Sequence, residues 1–411
     1  MATRCSHRSL DWQERSELDP TRIEFVIDHL NVGGAQRHLV ELFSGLDRAR
    51  FAPQVCVAKP GGTLTGRLEQ MGIPVRCFGL GSSLAKPQTL AGIVHMARRL
   101  RSERVGIVHG YLYLGNILGI LAGKLAGTPI LIAGKRSLDR YPRRAQLYPT
   151  RLANRFAHRI LCNAEAVRQF VLEEERPAPG KLVVIPNGIR LPATAPAPAR
   201  PAGVPEGARV VGTIGRLTWK KAYGDFLEAA RRVRSARADV EFVIVGEGPL
   251  RAELEARALR LGIRDHVHFL GEVHDVRALL QSFDVFALSS VIEGMPNVLL
   301  EALAAEKPAV VTSAGGMPEI VIHQETGLLV PPAAPSVLAA EVLRLLARPE
   351  DCVRFGKAGR RLVQRRFSAA AMIASYAGLY EELEMERKLR GARPAAAHPE
   401  ELPTRTAATG H

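Results

Sequence analysis

The chain has 411 residues, too many for one ordinary core, so two domains are expected. With 46% apolar and 24% charged residues it is not a disordered polymer, and 5% aromatics disfavour a base-stacking surface for single-stranded nucleic acid. The excess of 56 Lys+Arg over 41 Asp+Glu, +15 in all, suits an anionic partner (nucleotide phosphate, an anionic membrane face or nucleic acid) or an Arg-rich coding bias, and does not choose among them.

Residues 1–20 read as a loose polar tail with no apolar core, so no signal peptide is expected. From Ile23 the pattern alternates strand and helix: IEFVIDHL, the turn Gly33–Gly34, helical AQRHLVELFSGL, then apolar runs PQVCVA, IPVRCF, VGIVHG, PILIAG, AHRILCN and LVVIPN. Continuous Val/Ile/Leu runs between helices predict a parallel sheet covered on both faces. The most apolar stretch, Gly115 to Gly134, is broken by Lys124 and Pro129 and is not expected to span a bilayer.

A Pro/Ala-rich stretch at 191–207 cannot continue a helix or sheet, and 196–207 is read as the linker. The pattern then restarts with RVVGTIGRL, VEFVIVGEG, VHFLGEV, VFALSS and PAVVTS. The expected fold class is therefore α/β, two Rossmann-like doubly wound parallel-sheet domains, 21–195 and 208–366, facing a central cleft. A helix over 367–390 is expected to pack back on the first domain, followed by a disordered tail at 391–411. Five dispersed cysteines (Cys5, Cys56, Cys77, Cys162, Cys352) without a C-x-x-C pair fit reduced thiols, not a disulfide framework or zinc site. A cytoplasmic protein is the expectation.

The strongest chemical signal is SSVIEGMPNVLLEALAAEKPAVVTSAGGMPEIV at 289–321. Glu293 and Glu301 flank Gly294, Met295, Pro296 and Asn297 at a predicted helix start. Such a glycine turn presents backbone N–H groups to a diphosphate, and the carboxylates can accept hydrogen bonds from sugar and ribose hydroxyls. Two isolated helix-start acids would ordinarily be decoration, but a second turn, Gly315–Gly316 with Glu319 beyond it, strengthens the functional reading.

In GRLTWKKAYGDFLEAA, Arg216 and Lys221 lie between a strand and a helix, aimed at the cleft edge, with Lys220 able to share the work. Fixed cations there would stabilise charge growing on a departing phosphate. The chain contains no D-x-D sequence, so a metal is not expected and these cations are its substitute. Gly33–Gly34 does not match G-x-G-x-x-G, Gly246-Glu247-Gly248 fails it too, and GILAGKL lacks phosphate-loop spacing, so dinucleotide cofactors are disfavoured. His109 ends a strand, either lining the cleft or simply packed. A basic run at 135–159, with Leu147, Tyr148, Leu152 and Phe156 interleaved, is a solvated face or a dock for an anionic lipid surface.

Taken together, HLNVGGAQ, IVHGYLYLGN, RILCNAEAV, VIPNGI, GRLTWKK, IVGEGPL, HFLGEV, EGMPNVLLEALA and SAGGMPEIV, in this order, resemble glycosyltransferase family 4 with the GT-B fold, from about Ile23 to Tyr380. The resemblance implies a retaining transferase, an amino-terminal acceptor-side domain and a carboxyl-terminal nucleotide-sugar domain. It implies Gly33 and Gly34 near the donor phosphate, Arg216 and Lys221 on the diphosphate, Glu293 on the donor sugar and Glu301 on the ribose. Met295, Pro296 and Asn297 would present groups to sugar and phosphate, and Val273 and Asp275 would lie near the base. His109, Tyr111 and Arg136 would stand on the sugar or acceptor side. No cofactor, no metal and no protein nucleophile are implied.

The partners that the resemblance implies are a UDP- or GDP-sugar and a glycan or lipid-linked acceptor, with peripheral contact at the anionic inner membrane face as an expectation and no nucleic acid. Three departures stand out: Tyr111 where relatives often carry a second histidine, Arg190 where Asp usually follows the isoleucine of VIPNGI, and Ala222 where glycine is common. A nucleotide-sugar 2-epimerase and a non-catalytic anion- or nucleic-acid-binding protein remain open as alternatives.

Overall fold

The computed structural model describes residues 19–78, 87–138, 146–191, 196–273 and 275–392. The tails at 1–18 and 393–411, residues 192–195 of the Pro/Ala stretch, and Asp139, Arg140, Arg143 and Arg144 of the basic run lie outside the described residues.

The amino-terminal half alternates β1 (Thr21–Ile27), α1 (Gly34–Gly45), β2 (Phe51–Val57), α2 (Thr65–Gln70), β3 (Val75–Cys77), α3 (Pro87–Ser102), β4 (Ile107–Tyr111), α4 (Leu112–Ala126), β5 (Ile130–Lys135), α5 (Leu147–Phe156), β6 (Arg159–Cys162), α6 (Glu165–Glu174) and β7 (Leu182–Val184). Its pairings are all parallel, in the order β3-β2-β1-β4-β5-β6-β7. Every residue of β4 and β5 is buried, as continuous apolar strands with helices on both faces must be. Helix α4 lies so close over β1 that a Cβ on Gly115 would stand 2.8 Å from Ile27 Cα and overlap the Val26 carbonyl, so only glycine fits there.

The second half runs β8 (Arg209–Ile214), α7 (Tyr223–Ala236), β9 (Val240–Val245), α8 (Arg251–Arg260), β10 (Val267–Gly271), α9 (Arg277–Gln281), β11 (Val285–Leu288), α10 (Asn297–Ala304), β12 (Ala309–Thr312), α11 (Met317–Ile320), β13 (Leu328–Val330), α12 (Pro335–Leu346) and α13 (Pro349–Arg366). It forms a parallel sheet in the order β10-β9-β8-β11-β12-β13. Strand β13, three residues long, was not expected, because Leu328–Val330 is too short to show a period. Each sheet reverses its strand order once, beside β1 and beside β8. The crevice outside the carboxyl ends of the strands at such a point is where open α/β sheets bind ligands.

The chain crosses between halves twice. At the crossing Ile189 pairs with Ser368: Ile189 N donates to Phe367 O (3.0 Å) and Ala369 N to Ile189 O (2.8 Å). Helix α14 (Ala369–Ala392) then lies on the amino-terminal half, where Met372, Tyr376, Leu379, Tyr380 and Leu383 join the core of β1, β2 and α1. No helix among the described residues is long and apolar enough to cross a membrane.

Candidate active site

Strand β8 ends at Ile214, and the chain turns through a short 3-10 segment, Trp219–Lys221, before α7. Ala222 closes that turn in the left-handed region (φ 46°, ψ 44°), a conformation that glycine adopts without strain. The loop after β11 is stapled to the turn: Ser289 Oγ donates to the Lys221 and Ala222 carbonyls (2.9 and 3.0 Å), and Val291 N to Lys220 O (2.8 Å). This brings Lys221 Nζ into an ion pair with Glu293 Oε1, which also accepts Ser290 Oγ at 2.9 Å. Both side chains are largely buried, and Glu293 Oε2 is left to accept other donors. Arg216, two residues past the strand, is exposed.

The glycine turns interlock. Gly315 has φ 56°, and a Cβ on Gly315 or Gly316 would overlap the carbonyls of Glu293 and Gly294. Gly316 N donates to both carbonyls, at 3.2 and 3.0 Å, so the second turn holds the first in shape. Met295 is buried, Pro296 precedes α10, and Asn297 opens it.

The opposite wall comes from the amino-terminal half. Gly33 precedes α1 and Gly34 begins it. Asn297 Nδ2 donates to Gly34 O (3.4 Å). Asn187, after β7, donates from Nδ2 to Met295 O (2.9 Å) and Asn297 Oδ1 (2.6 Å), while its Oδ1 accepts Arg136 Nη2. A Cβ on Gly294 would lie 2.6 Å from Arg136 O. Glu319 crosses the divide as well, its carboxylate accepting the N–H groups of Glu165 and Ala166 (2.9 Å each) at the start of α6. Glu319 is thus engaged in holding the halves together.

On α10, Glu301 faces Arg37 of α1, with Oε1 3.9 Å from Arg37 Nη1. Burial raises the Glu301 carboxyl above its ordinary pKa, against the lowering pull of Arg37. Nearby, hydrogen bonds from Arg277 drop Asp275 to about 2, and Val273 is half-buried. Arg37, Asn187 and Ser290 were not singled out from sequence. Arg37 had one signal: a cation in the first turn of a helix opposes the macrodipole and needs another reason to be there.

His109 and Tyr111 require a correction. Both are fully buried, and neither presents a side chain on the cleft wall. His109 Nδ1 is bonded to Tyr380 Oη (3.0 Å), and Tyr111 Oη lies 3.4 Å from His38 Nε2 and 3.5 Å from Tyr376 Oη. Burial, and then Arg136, pushes the His109 pKa down to about 3, so it is neutral. These strand-end positions are roofed by α14, an element about 270 residues away that local sequence does not announce. The cluster supports Arg136, whose guanidinium sits over the Tyr111 ring (5.7 Å) and donates to Tyr376 Oη (3.4 Å). Of the three acceptor-side candidates, Arg136 alone is partly exposed. No group of three or more His, Cys, Asp and Glu among the described residues is placed to hold a metal ion.

Two Rossmann-like sheets with a cleft of paired cations and carboxylates define a glycosyltransferase of GT-B architecture. Residues 32–191 match the model of Glycosyltransferase Family 4 and residues 199–362 that of Glycosyl transferases group 1. The chain belongs to glycosyltransferase family 4. It is 27% identical to the UDP-Gal:alpha-D-GlcNAc-diphosphoundecaprenol alpha-1,3-galactosyltransferase of Escherichia coli, over 73% of this chain and 81% of that one. To the 2-deoxystreptamine glucosyltransferase of Streptomyces kanamyceticus it is also 27% identical, over 68% and 77%. The solved structure of HepE from Anabaena with UDP and glucose superposes with a TM-score of 0.77 at 22% identity, covering 88% of this chain and all of that one.

Proposed function

We propose that this enzyme moves a sugar from a nucleoside-diphosphate sugar, with UDP or GDP as the nucleotide, to a glycan or lipid-linked acceptor of a bacterial surface polysaccharide. It does so with retention of configuration and without a catalytic metal. The observation that carries this reading is the Lys221–Glu293 pair set against the Gly294–Asn297 turn at the start of α10. A diphosphate seated on that turn lies among backbone N–H groups, Lys221 and the exposed Arg216, which neutralise the charge that grows on the β-phosphate as the glycosidic bond breaks. Glu293 Oε2 accepts from a sugar hydroxyl and Glu301 from the ribose, with Val273 and Asp275 toward the base. Attack from the same face then lets the departing phosphate take the acceptor proton, which needs no protein nucleophile.

One of the named relatives supports the acceptor class: the Escherichia coli galactosyltransferase acts on a diphosphoundecaprenol-linked acceptor. A 2-epimerase would need acids and histidines at the anomeric centre, and His109 is packed out of reach. The test is a screen of nucleotide sugars by thermal shift and hydrolysis, with the anomer of the transferred product read by NMR. A nucleotide-dependent rise in melting temperature with an α-linked product from an α-linked donor is expected. No shift with any nucleoside diphosphate overturns the reading.

A further inference from the structure

Helix α6 has no cap of its own. Its N-cap residue, Ala164, is extended (φ −156°, ψ 154°) and has no side-chain oxygen to offer the first N–H groups, which a helix start leaves without internal partners. The cap comes from the other half of the molecule. Glu165 N donates to Glu319 Oε2 and Ala166 N to Glu319 Oε1, at 2.9 Å each. A carboxylate placed there gains two hydrogen bonds and the favourable end of the helix dipole.

The residue that reaches across is itself tied to the catalytic turn. Glu319 N donates to Gly316 O (3.1 Å), and Gly316 N in turn bonds the Glu293 and Gly294 carbonyls. The seam is tight here: a Cβ on Gly316 would stand 2.9 Å from Ala164 Cβ, and one on Gly315 2.7 Å from Leu138 Cδ1. Glu319, the glycine turn and the Lys221–Glu293 pair thus form one short strut. When Glu319 seats on α6, the turn carrying Glu293 and Gly294 is set against Arg136 and Asn163 of the amino-terminal wall.

Two features make the clasp reversible. Glu319 and Ala166 are half-buried and Glu165 is exposed, so water can take over the carboxylate and both N–H groups when the halves part. At the same seam Asn163 is 2% exposed, and its Oδ1 has no hydrogen-bond donor among the described residues; it lies 3.3 Å from where a Cβ on Gly294 would stand. Burying an amide oxygen unpaired is a cost of the closed form that ends on opening. Closure is therefore the difference between a clasp that gains and a seam that loses.

We propose that Glu319 is the latch of domain closure. Its carboxylate caps α6 only while the halves are together, which positions the Glu293–Gly294 turn for transfer, and its release opens the cleft for exchange of nucleotide and product. Glu319 is a positioning residue, acting through the turn. The latch rests on the donor reading for its consequence in turnover, not for its existence.

Small-angle X-ray scattering of the full chain without ligand, with amide hydrogen exchange beside it, compares the parent with Glu319→Gln and Glu319→Ala. Gln keeps one acceptor oxygen for two N–H groups and no charge, and Ala keeps neither. The closing equilibrium should shift about tenfold toward the open form in the Gln variant, the equivalent of one charge-assisted hydrogen bond, and further in the Ala variant. The radius of gyration should rise in that order, with faster exchange at Glu165 and Ala166. An unchanged radius overturns the latch, even with faster exchange, since the contact is then an ordinary helix cap. A larger radius without faster exchange at those two amides overturns it as well, because opening then does not pass through α6. Millimolar UDP should return both variants toward the parent's radius, a nucleotide on the Gly294–Asn297 turn lying against both halves. If the variants open as expected and UDP does not draw them closed, the donor reading falls and the latch stands.

Discussion

Arg37 of α1 and Glu301 of α10 face each other across the cleft at 3.9 Å, one from each half of the molecule. The pair is partly exposed and loosely spaced, so its contribution to stability is about 0–1 kcal/mol. Its consequence lies in the charge on Glu301. Burial already raises that carboxyl's pKa, and Arg37 is the largest influence holding it down. In Arg37→Ala the pKa should rise further, and a protonated Glu301 accepts ribose hydroxyls less well. The acid limb of donor KM against pH should therefore move to higher pH, with kcat on the plateau little changed. An unmoved limb would separate Glu301 from donor binding.

Lys221 and Glu293 depend on each other. Removing the lysine leaves Glu293 largely buried without its cation, and removing Glu293 frees Lys221 from its tether. Lys221→Ala and Glu293→Ala are each expected to lower kcat by about 10²–10³, the usual loss for one group aimed at developing charge. The chain should still fold, with a lowered melting temperature, because either change leaves one charge of a largely buried pair without its partner. Normal turnover in both variants would show that the site lies elsewhere.

Two glycines separate closure from folding. A Cβ on Gly294 meets the Arg136 carbonyl of the opposite half at 2.6 Å, so Gly294→Ala should hinder approach of the halves. It should cost about 10²-fold in kcat through misplacement, with stability preserved. Gly316→Ala instead drives its Cβ into the Gly294 carbonyl of its own half, a harder overlap than the 2.9 Å to Ala164 of the other half, and should destabilise its own domain. Urea unfolding and steady-state kinetics on the two variants check this contrast.

Ala222→Gly should stabilise the protein. Holding a non-glycine residue in the left-handed region costs about 1–2 kcal/mol. Against it, glycine's extra freedom in the unfolded chain costs about 0.4–1 kcal/mol. The net gain is about 0.5–1 kcal/mol, readable as a higher urea midpoint.

Acid should weaken the fold through the buried histidines. Burial lowers His38 well below its ordinary pKa and His109 to about 3, so the unfolded chain binds protons near pH 6.5 that the folded chain refuses. Their stabilisation is complete above that pH and is lost as pH falls toward 3, at about 1.4 kcal/mol per pH unit per histidine. His109→Gln should reduce the slope of unfolding free energy between pH 6.5 and 5, whereas the parent retains it.

Sequence alone determined the two-domain α/β plan, because buried parallel strands need continuous apolar runs and each of the twelve predicted ones became a strand, while β13 was too short to register. It also marked Lys221, Glu293 and the Gly294–Asn297 turn, since strand-end turns place such residues locally. What tertiary structure decided was everything that depends on distant segments meeting. His109 and Tyr111 sit at strand ends like cleft residues, yet α14 folds back and roofs them. Asn187 reaches Asn297, Arg37 reaches Glu301 and Glu319 reaches α6 only because two domains close on each other. Periodicity and turn chemistry act over a few residues, whereas these contacts are set by how two finished surfaces fit.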